Sequence, residues 1–245
     1  MGILLNSPSN PCGVTYPERD MRAIIDVVAQ HPRMAVVSDE IYEKLVYPEI
    51  EPGLRHWSPG SDPRIADRTV TVNGMSKAFA MTGWRIGYVC APGDGGRWMR
   101  ELVKLQGQMT NNVPSFFMPA IVEALAPSSA GPVETMRAAF ARRAALVHEL
   151  LAQVPRLKST RPTGAFYAFP DISGCIGLVT PGGRRIDSAQ SFADALLAEA
   201  HVAVVPGEDF GACARTNIRI SFACSEEQLR KGMARISTFV ASLRT

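Results

Sequence analysis

Ser76-Lys77 follows a short β-branched run and precedes an aromatic stretch, a setting in which a lysine can do more than carry charge. An amine becomes nucleophilic and basic when it is desolvated or set near another cation, which is what imine chemistry requires. Asp39 lies just past an apolar run, Asn10 sits in a turn-rich stretch behind another, and Arg85 falls inside residues 83–90, which read as a strand. Tyr42 follows Asp39 by three residues, close enough for both to line one pocket from a helical turn. Arg219 alternates with Ile218 and Ile220, so its side chain points to the face opposite theirs. Each group also has a plainer reading. Lys77 is then a solvated charge, Asp39 a helix cap, Asn10 an ordinary turn residue, Tyr42 a half-buried aromatic, Arg85 the partner of a structural acid, and Arg219 part of an exposed strand face.

The elements that must position these groups follow from hydrophobic periodicity. Ile3-Leu4-Leu5 reads as a strand end feeding a loop at residues 6–13, where nearly every position has turn chemistry. Residues 17–29 predict a helix, with Met21, Ile24, Ile25 and Val28 three or four apart. Met34-Ala35-Val36-Val37 and Thr69-Val70-Thr71-Val72-Asn73 predict further strands, as do residues 83–90 with their aromatic and β-branched content. Strands separated by crossovers argue for an α/β layer with a largely parallel sheet. Ligands of such sheets gather beyond the carboxyl ends of the strands, where Asn10, Asp39, Ser76 and Lys77 fall.

Helical periodicity continues at residues 98–108, 119–125 and 132–151. A smaller α/β module follows, with strands expected at 164–169, 202–205 and 217–222 and helices at 188–200 and from a Ser225 cap to about 243. The expected division is a large domain over residues 1–130, a connecting helix over 131–152 and a small domain over 153–245.

The 245 residues, 46% apolar and 20% charged, suffice for a substantial core. A net charge of +3, from 26 basic and 23 acidic residues, gives no nucleic-acid footprint. The five cysteines contain no C-x-x-C pair and no zinc spacing, so neither disulfides nor a metal is expected, and a reducing cytoplasm fits. The four histidines, His31, His56, His148 and His201, lie outside the motifs, and no Ser-His-Asp constellation competes. Neither a targeting leader nor a run near the roughly 20 apolar residues of a membrane span is found.

Five stretches carry a family resemblance: residues 6–13 (NSPSNPCG), 37–42 (VSDEIY), 73–88 (NGMSKAFAMTGWRIGY), 161–167 (RPTGAFY) and 217–221 (NIRIS). The chain resembles the class I and II pyridoxal-phosphate-dependent aminotransferases, most closely the prokaryotic aspartate aminotransferase branch. The Ser-Lys-x-Phe-x-Met-x-Gly-x-Arg pattern is specific, whereas Asn-Pro-x-Gly alone is not. The resemblance implies a fold-type I α/β transferase with pyridoxal 5'-phosphate (PLP) as cofactor. It makes Lys77 the residue that bonds to the cofactor aldehyde and then shuttles a proton at the substrate. It sets Asp39 against the pyridine nitrogen, Tyr42 and Asn10 at the phenolic oxygen, Ser76 and Arg85 on the phosphate, and Arg219 on the substrate carboxylate. Asn10 also counts among the substrate contacts, and Gly164 and Phe166 belong to the wall beside Arg219.

The implied reaction moves an amino group from an L-amino acid, with aspartate favoured, to a 2-oxo acid such as 2-oxoglutarate. The alternatives are another reaction of the same cofactor, such as β-elimination, or a noncatalytic remnant. Two departures stand out. Cys12 replaces the threonine usual in Asn-Pro-Thr-Gly, and the family's upstream region has no counterpart here, which makes the large domain over residues 1–130 a partial one. The chain is therefore expected to be a truncated product, a fragment or one piece completed by another polypeptide, and the resemblance implies a homodimer.

Overall fold

The computed structural model describes residues 1–245, which cluster into two compact units. The first comprises residues 1–9 and 15–138, the second residues 10–14 and 139–245.

The first unit is built on a four-stranded sheet in the order β1-β2-β3-β4. Its strands are β1 (Gly2–Asn6), β2 (Ala35–Asp39), β3 (Thr69–Gly74) and β4 (Gly87–Cys90). The first three run parallel and β4 runs antiparallel to β3. Parallel neighbours need long crossovers. Helix α1 (Glu18–Ala29) supplies the one between β1 and β2, while turns and two short 3-10 segments span the gap from β2 to β3. The apolar stripe of α1 buries Met21, Ile25 and Val28 with Leu5, Val36 and Ile65 in one cluster, and Glu18 and Asp20 complement the helix dipole at its first turn. Helices α2 (Met75–Ala78), α3 (Arg97–Met109) and α4 (Met118–Leu125) follow, and α5 (Ala130–Ala152) contains the point at which the two units divide.

The second unit carries a three-stranded antiparallel sheet ordered β5-β7-β6, from β5 (Tyr167–Ala168), β6 (Val205–Pro206) and β7 (Ile218–Ser221). Helix α6 (Ala189–Ala200) starts with a capping box of Ser188 and Ser191. Helix α7 (Glu226–Ser242) starts at Ser225, whose hydroxyl accepts from the Gln228 N–H, with Glu226 and Glu227 in the first turn as the sequence predicts. Phe192 of α6 meets Phe239 of α7 edge to face, with ring centroids 5.4 Å apart, in a core that also buries Leu196, Leu229, Met233 and Ile236.

Three expectations need correction. Arg85 lies outside a strand: residues 82–84 form a 3-10 turn, Arg85 adopts left-handed backbone angles (φ 56°, ψ 44°), and β4 begins only at Gly87. Composition suggested a strand because Trp84 and Ile86 favour one, but β3 ends at Gly74 and offers no ladder partner earlier than Gly87. The second unit's strands are shorter than expected, because β5 pairs with the four-residue β7 only at Tyr167 and Ala168, and β6 only at Val205 and Pro206. The segment after Asp39 forms hydrogen-bonded turns, from Glu43 N–H to Glu40 C=O and from Leu45 N–H to Tyr42 C=O, rather than a helix.

Candidate active site

In the first unit the parallel strands deliver the predicted groups at their carboxyl ends. Asp39 is the last residue of β2 and is paired in register with Val72 of β3. The Glu40 N–H donates to the Val72 carbonyl at 2.9 Å, which fixes where the chain leaves the sheet. One Asp39 oxygen accepts from the Ile41 N–H at 3.2 Å, an Asx-type turn that orients the half-buried carboxylate. Tyr42 lies buried three residues further on.

β3 runs directly into α2, so Ser76 and Lys77 occupy its second and third positions, both half-buried. Gly74 permits this exit: a methyl group there would come within 2.8 Å of the Ile86 carbonyl oxygen and 3.1 Å of Gly87 Cα. The Met75 N–H donates to that same carbonyl at 3.1 Å. Arg85 is exposed, and its Nη1 donates to the Thr82 carbonyl at 2.9 Å, so a backbone oxygen rather than a structural acid engages it. Both Ala80 and Arg85 adopt left-handed angles, which cost a non-glycine residue about 1–2 kcal/mol. Such strain is concentrated where the backbone must present particular side chains.

The face of β2 opposite Asp39 holds a group that sequence reasoning passed over. Ser38 and Glu40 point into the core together, and the Glu40 carboxylate accepts from Ser38 Oγ at 2.9 Å and Ser58 Oγ at 2.6 Å. His56 Nε2 lies 2.9 Å from its other oxygen, while His56 Nδ1 is buried with no hydrogen-bond partner. His56 therefore contacts the Asp39-Glu40 motif despite lying outside it in sequence. The fifteen residues between Glu40 and His56 carry no periodic signal that points to the contact.

Burial alone would raise the Glu40 pKa, but hydrogen bonds from His56 and Ser58, the His56 charge interaction and the Ser38 bond outweigh it and hold the carboxyl below its ordinary value. The depressed pKa makes Glu40 stabilising above about pH 4.5, its value without these partners, and that contribution fades as pH falls through the folded value. Glu40→Gln is expected to lose about 2–4 kcal/mol at neutral pH. Urea unfolding at pH 7 and pH 4 checks this, with a shallower pH dependence expected for the variant.

In the second unit, Asn10 and Arg219 come together: Arg219 Nη1 donates to Asn10 Oδ1 at 2.8 Å. Arg219 lies on β7 between buried Ile218 and Ile220, as the alternation predicts, and is flanked in the sheet by β5 and β6. Its guanidinium carbon lies 4.7 Å from the ring centroid of Tyr167 and 5.0 Å from that of Phe210, neither of which the sequence singled out for this contact.

The loop bearing Asn10 is held by Gly13, whose carbonyl accepts from the Thr163 and Gly164 N–H groups at 2.8 and 3.0 Å. Gly13 has φ 68°, and a methyl group on it would come within 1.9 Å of the Tyr167 carbonyl oxygen. Gly13→Ala is therefore expected to cost about 1–3 kcal/mol, read as a lowered thermal midpoint.

Comparison with known proteins shows the family and the fold. The family model described as aminotransferase class I and II matches residues 1–236. The chain is 42% identical over 245 residues to an aspartate/prephenate aminotransferase of Cereibacter sphaeroides, covering 98% of this chain and 58% of the relative. It is 41% identical over 243 residues to an aspartate aminotransferase of Rhizobium meliloti, covering 96% and 55%. Among solved structures, the aspartate aminotransferase from Rhizobium meliloti superposes with a TM-score of 0.87 at 39% identity, covering 99% of this chain and 58% of that one. An aromatic aminotransferase from Pyrococcus horikoshii gives 0.85 at 37%, covering 98% and 60%. The chain thus spans 58% and 55% of the length of these two curated relatives. Its mostly parallel sheet and smaller antiparallel sheet are those of a fold-type I PLP transferase, and it belongs to the class I and II aminotransferase family.

Proposed function

We propose that the chain serves amino-group transfer between an L-amino acid and a 2-oxo acid, with aspartate and 2-oxoglutarate as the favoured pair. The observation that carries this reading is the exit of Ser76 and Lys77 from β3 beside the strand that ends in Asp39.

The donor set suits pyridoxal 5'-phosphate: an amine for the aldehyde, a hydroxyl and a guanidinium for the phosphate, and a carboxylate for a protonated ring nitrogen. When bound, that group supplies an aldehyde for amine condensation and a ring that takes up the electron pair left as Cα loses its proton. Lys77 would hold the group through its aldehyde, and its amine would move a proton at the substrate Cα. Asp39 holds the proton on the ring nitrogen. Ser76 and Arg85 bind the phosphate, the guanidinium through its fixed fork of N–H groups. Tyr42 donates from its hydroxyl, and Asn10 from its amide, to the phenolic oxygen. Arg219 binds the substrate carboxylate through two parallel N–H groups.

On this reading residues 1–130 form part of the cofactor domain, 131–152 the interdomain helix and 153–245 the small domain. A second copy is the expected partner, supported by exposed apolar side chains at Val103, Leu105, Met109, Phe116 and Val122. No helix is long and apolar enough to cross a membrane. The free thiols of Cys90, Cys175, Cys213 and Cys224 suit a reducing, cytoplasmic setting.

The test is incubation of the purified chain with PLP, L-aspartate and 2-oxoglutarate. Glutamate and oxaloacetate in equal amounts support the reading, ammonia with pyruvate from a parallel incubation with L-serine, whose Cβ hydroxyl leaves as water, replaces it with β-elimination, and no product in either overturns it for this chain.

A further inference from the structure

We propose that Phe210 is a positioning residue that holds the Arg219 guanidinium ready for a carboxylate; the proposal rests on the reading of Arg219 as the carboxylate-binding group. A flexible arginine samples many rotamers, and ordering one on binding costs affinity. Arg219 is already confined. Two aromatic rings lie within 5.0 Å of its guanidinium carbon, and Asn10 takes one of its N–H groups at 2.8 Å. Rings over a guanidinium face attract the cation through their quadrupole and leave its N–H edge available for a planar anion.

Of the two rings, Tyr167 is fixed by its strand and buried. Phe210 sits instead on the short 3-10 segment Gly207–Phe210 and is half-buried, so its position depends on what holds that segment. Three features do so. The Gly207 N–H donates to the Asn217 carbonyl at 2.8 Å, two residues before Arg219. Gly207 is packed so closely that a methyl group would come within 1.9 Å of the Ala214 carbonyl oxygen. Glu208 Oε1 accepts from the Ala189 and Gln190 N–H groups at 3.1 and 3.4 Å, latching the segment to the first turn of α6, where a carboxylate also favours the helix dipole. Phe210 also meets the Phe169 ring edge to face, with centroids 5.9 Å apart. The latch, the ring and the guanidinium thus form one packed series running from α6 to β7.

The experiment uses the full chain with 15N-labelled arginine, the Arg219 Nε–Hε signal being assigned by its loss in Arg219→Lys. Two quantities are read in the wild type, Phe210→Ala and Phe210→Tyr: the order parameter of that bond, and the Kd for 2-oxoglutarate at constant ionic strength. Phe210→Ala is expected to lower the order parameter and raise the Kd about tenfold, whereas Phe210→Tyr keeps the order parameter and stays within twofold in Kd. Thermal midpoints of all three proteins show whether the fold is intact. An order parameter unchanged in a folded Phe210→Ala overturns the proposal. If 2-oxoglutarate leaves the Arg219 signal unmoved in every protein while the order parameter still falls in Phe210→Ala, the carboxylate role of Arg219 fails and the positioning by Phe210 stands.

Discussion

Lys77→Ala is expected to lower amino transfer by at least about a thousandfold, because on the proposed reading one amine performs two roles. It must bond to an aldehyde, leave when the substrate amine arrives, and stay within reach of a proton on Cα. Its place on α2, a helix of four residues directly after β3, suits both demands: the helix is anchored through the Met75 N–H, and little chain separates the amine from the sheet edge. Alanine is the best helix former, and the side chain lost is half-buried, so the unfolding free energy should change by no more than about 1 kcal/mol. Lys77→Arg separates nucleophile from charge. A guanidinium keeps the positive charge but stays protonated at any working pH, so this variant is expected to be as inactive as Lys77→Ala. Activity retained by Lys77→Arg would mean that the residue acts only as a cation. Borohydride reduction of the PLP-loaded chain, followed by peptide mapping, gives a readout independent of turnover: the label is expected on Lys77 and on no other lysine.

Much of the scaffold was legible because the determining signals are local. The three- and four-residue spacing of Met21, Ile25 and Val28 requires a stripe facing the sheet, and Val36 with Val37 makes a strand buried within a parallel layer. Ser225 with two glutamates behind it marks the start of α7 for the same local reason. What escaped depends on chain segments that meet only after folding. Trp84-Arg85-Ile86 has the composition of a strand, yet its conformation is decided by where the β3–β4 ladder runs out, a property of the pair rather than of either segment. His56 reaches Glu40 from an irregular crossover, and Phe210 reaches Arg219 from a 3-10 segment, so neither belongs to a periodic pattern that would mark its partner. The residues assigned to the chemistry were assigned through a resemblance. Those that orient them were visible only as neighbours in space.

Asp39→Asn is expected to reduce amino transfer by about a hundred- to a thousandfold while leaving both the fold and carboxylate binding at Arg219 intact. The substitution separates two roles that Asp39 can play at the end of β2. As a turn former, it needs only an oxygen to accept from the Ile41 N–H, and asparagine supplies one with the same shape and the same preference for such turns. As the partner of a ring nitrogen it needs a negative charge, since only an anion stabilises the proton there, and a carboxamide has none. Glu40 cannot substitute despite lying next to Asp39 in sequence. Its carboxylate is on the opposite face of the strand, held by Ser38, Ser58 and His56. A structural role for Asp39 therefore predicts an active Asp39→Asn and a damaged Asp39→Ala, whereas the electronic role predicts that both are inactive and that only the alanine variant is destabilised. Steady-state rates with aspartate and 2-oxoglutarate, set beside urea unfolding of the same two variants, decide between them, and near-normal turnover in a stable Asp39→Asn would remove Asp39 from the chemistry.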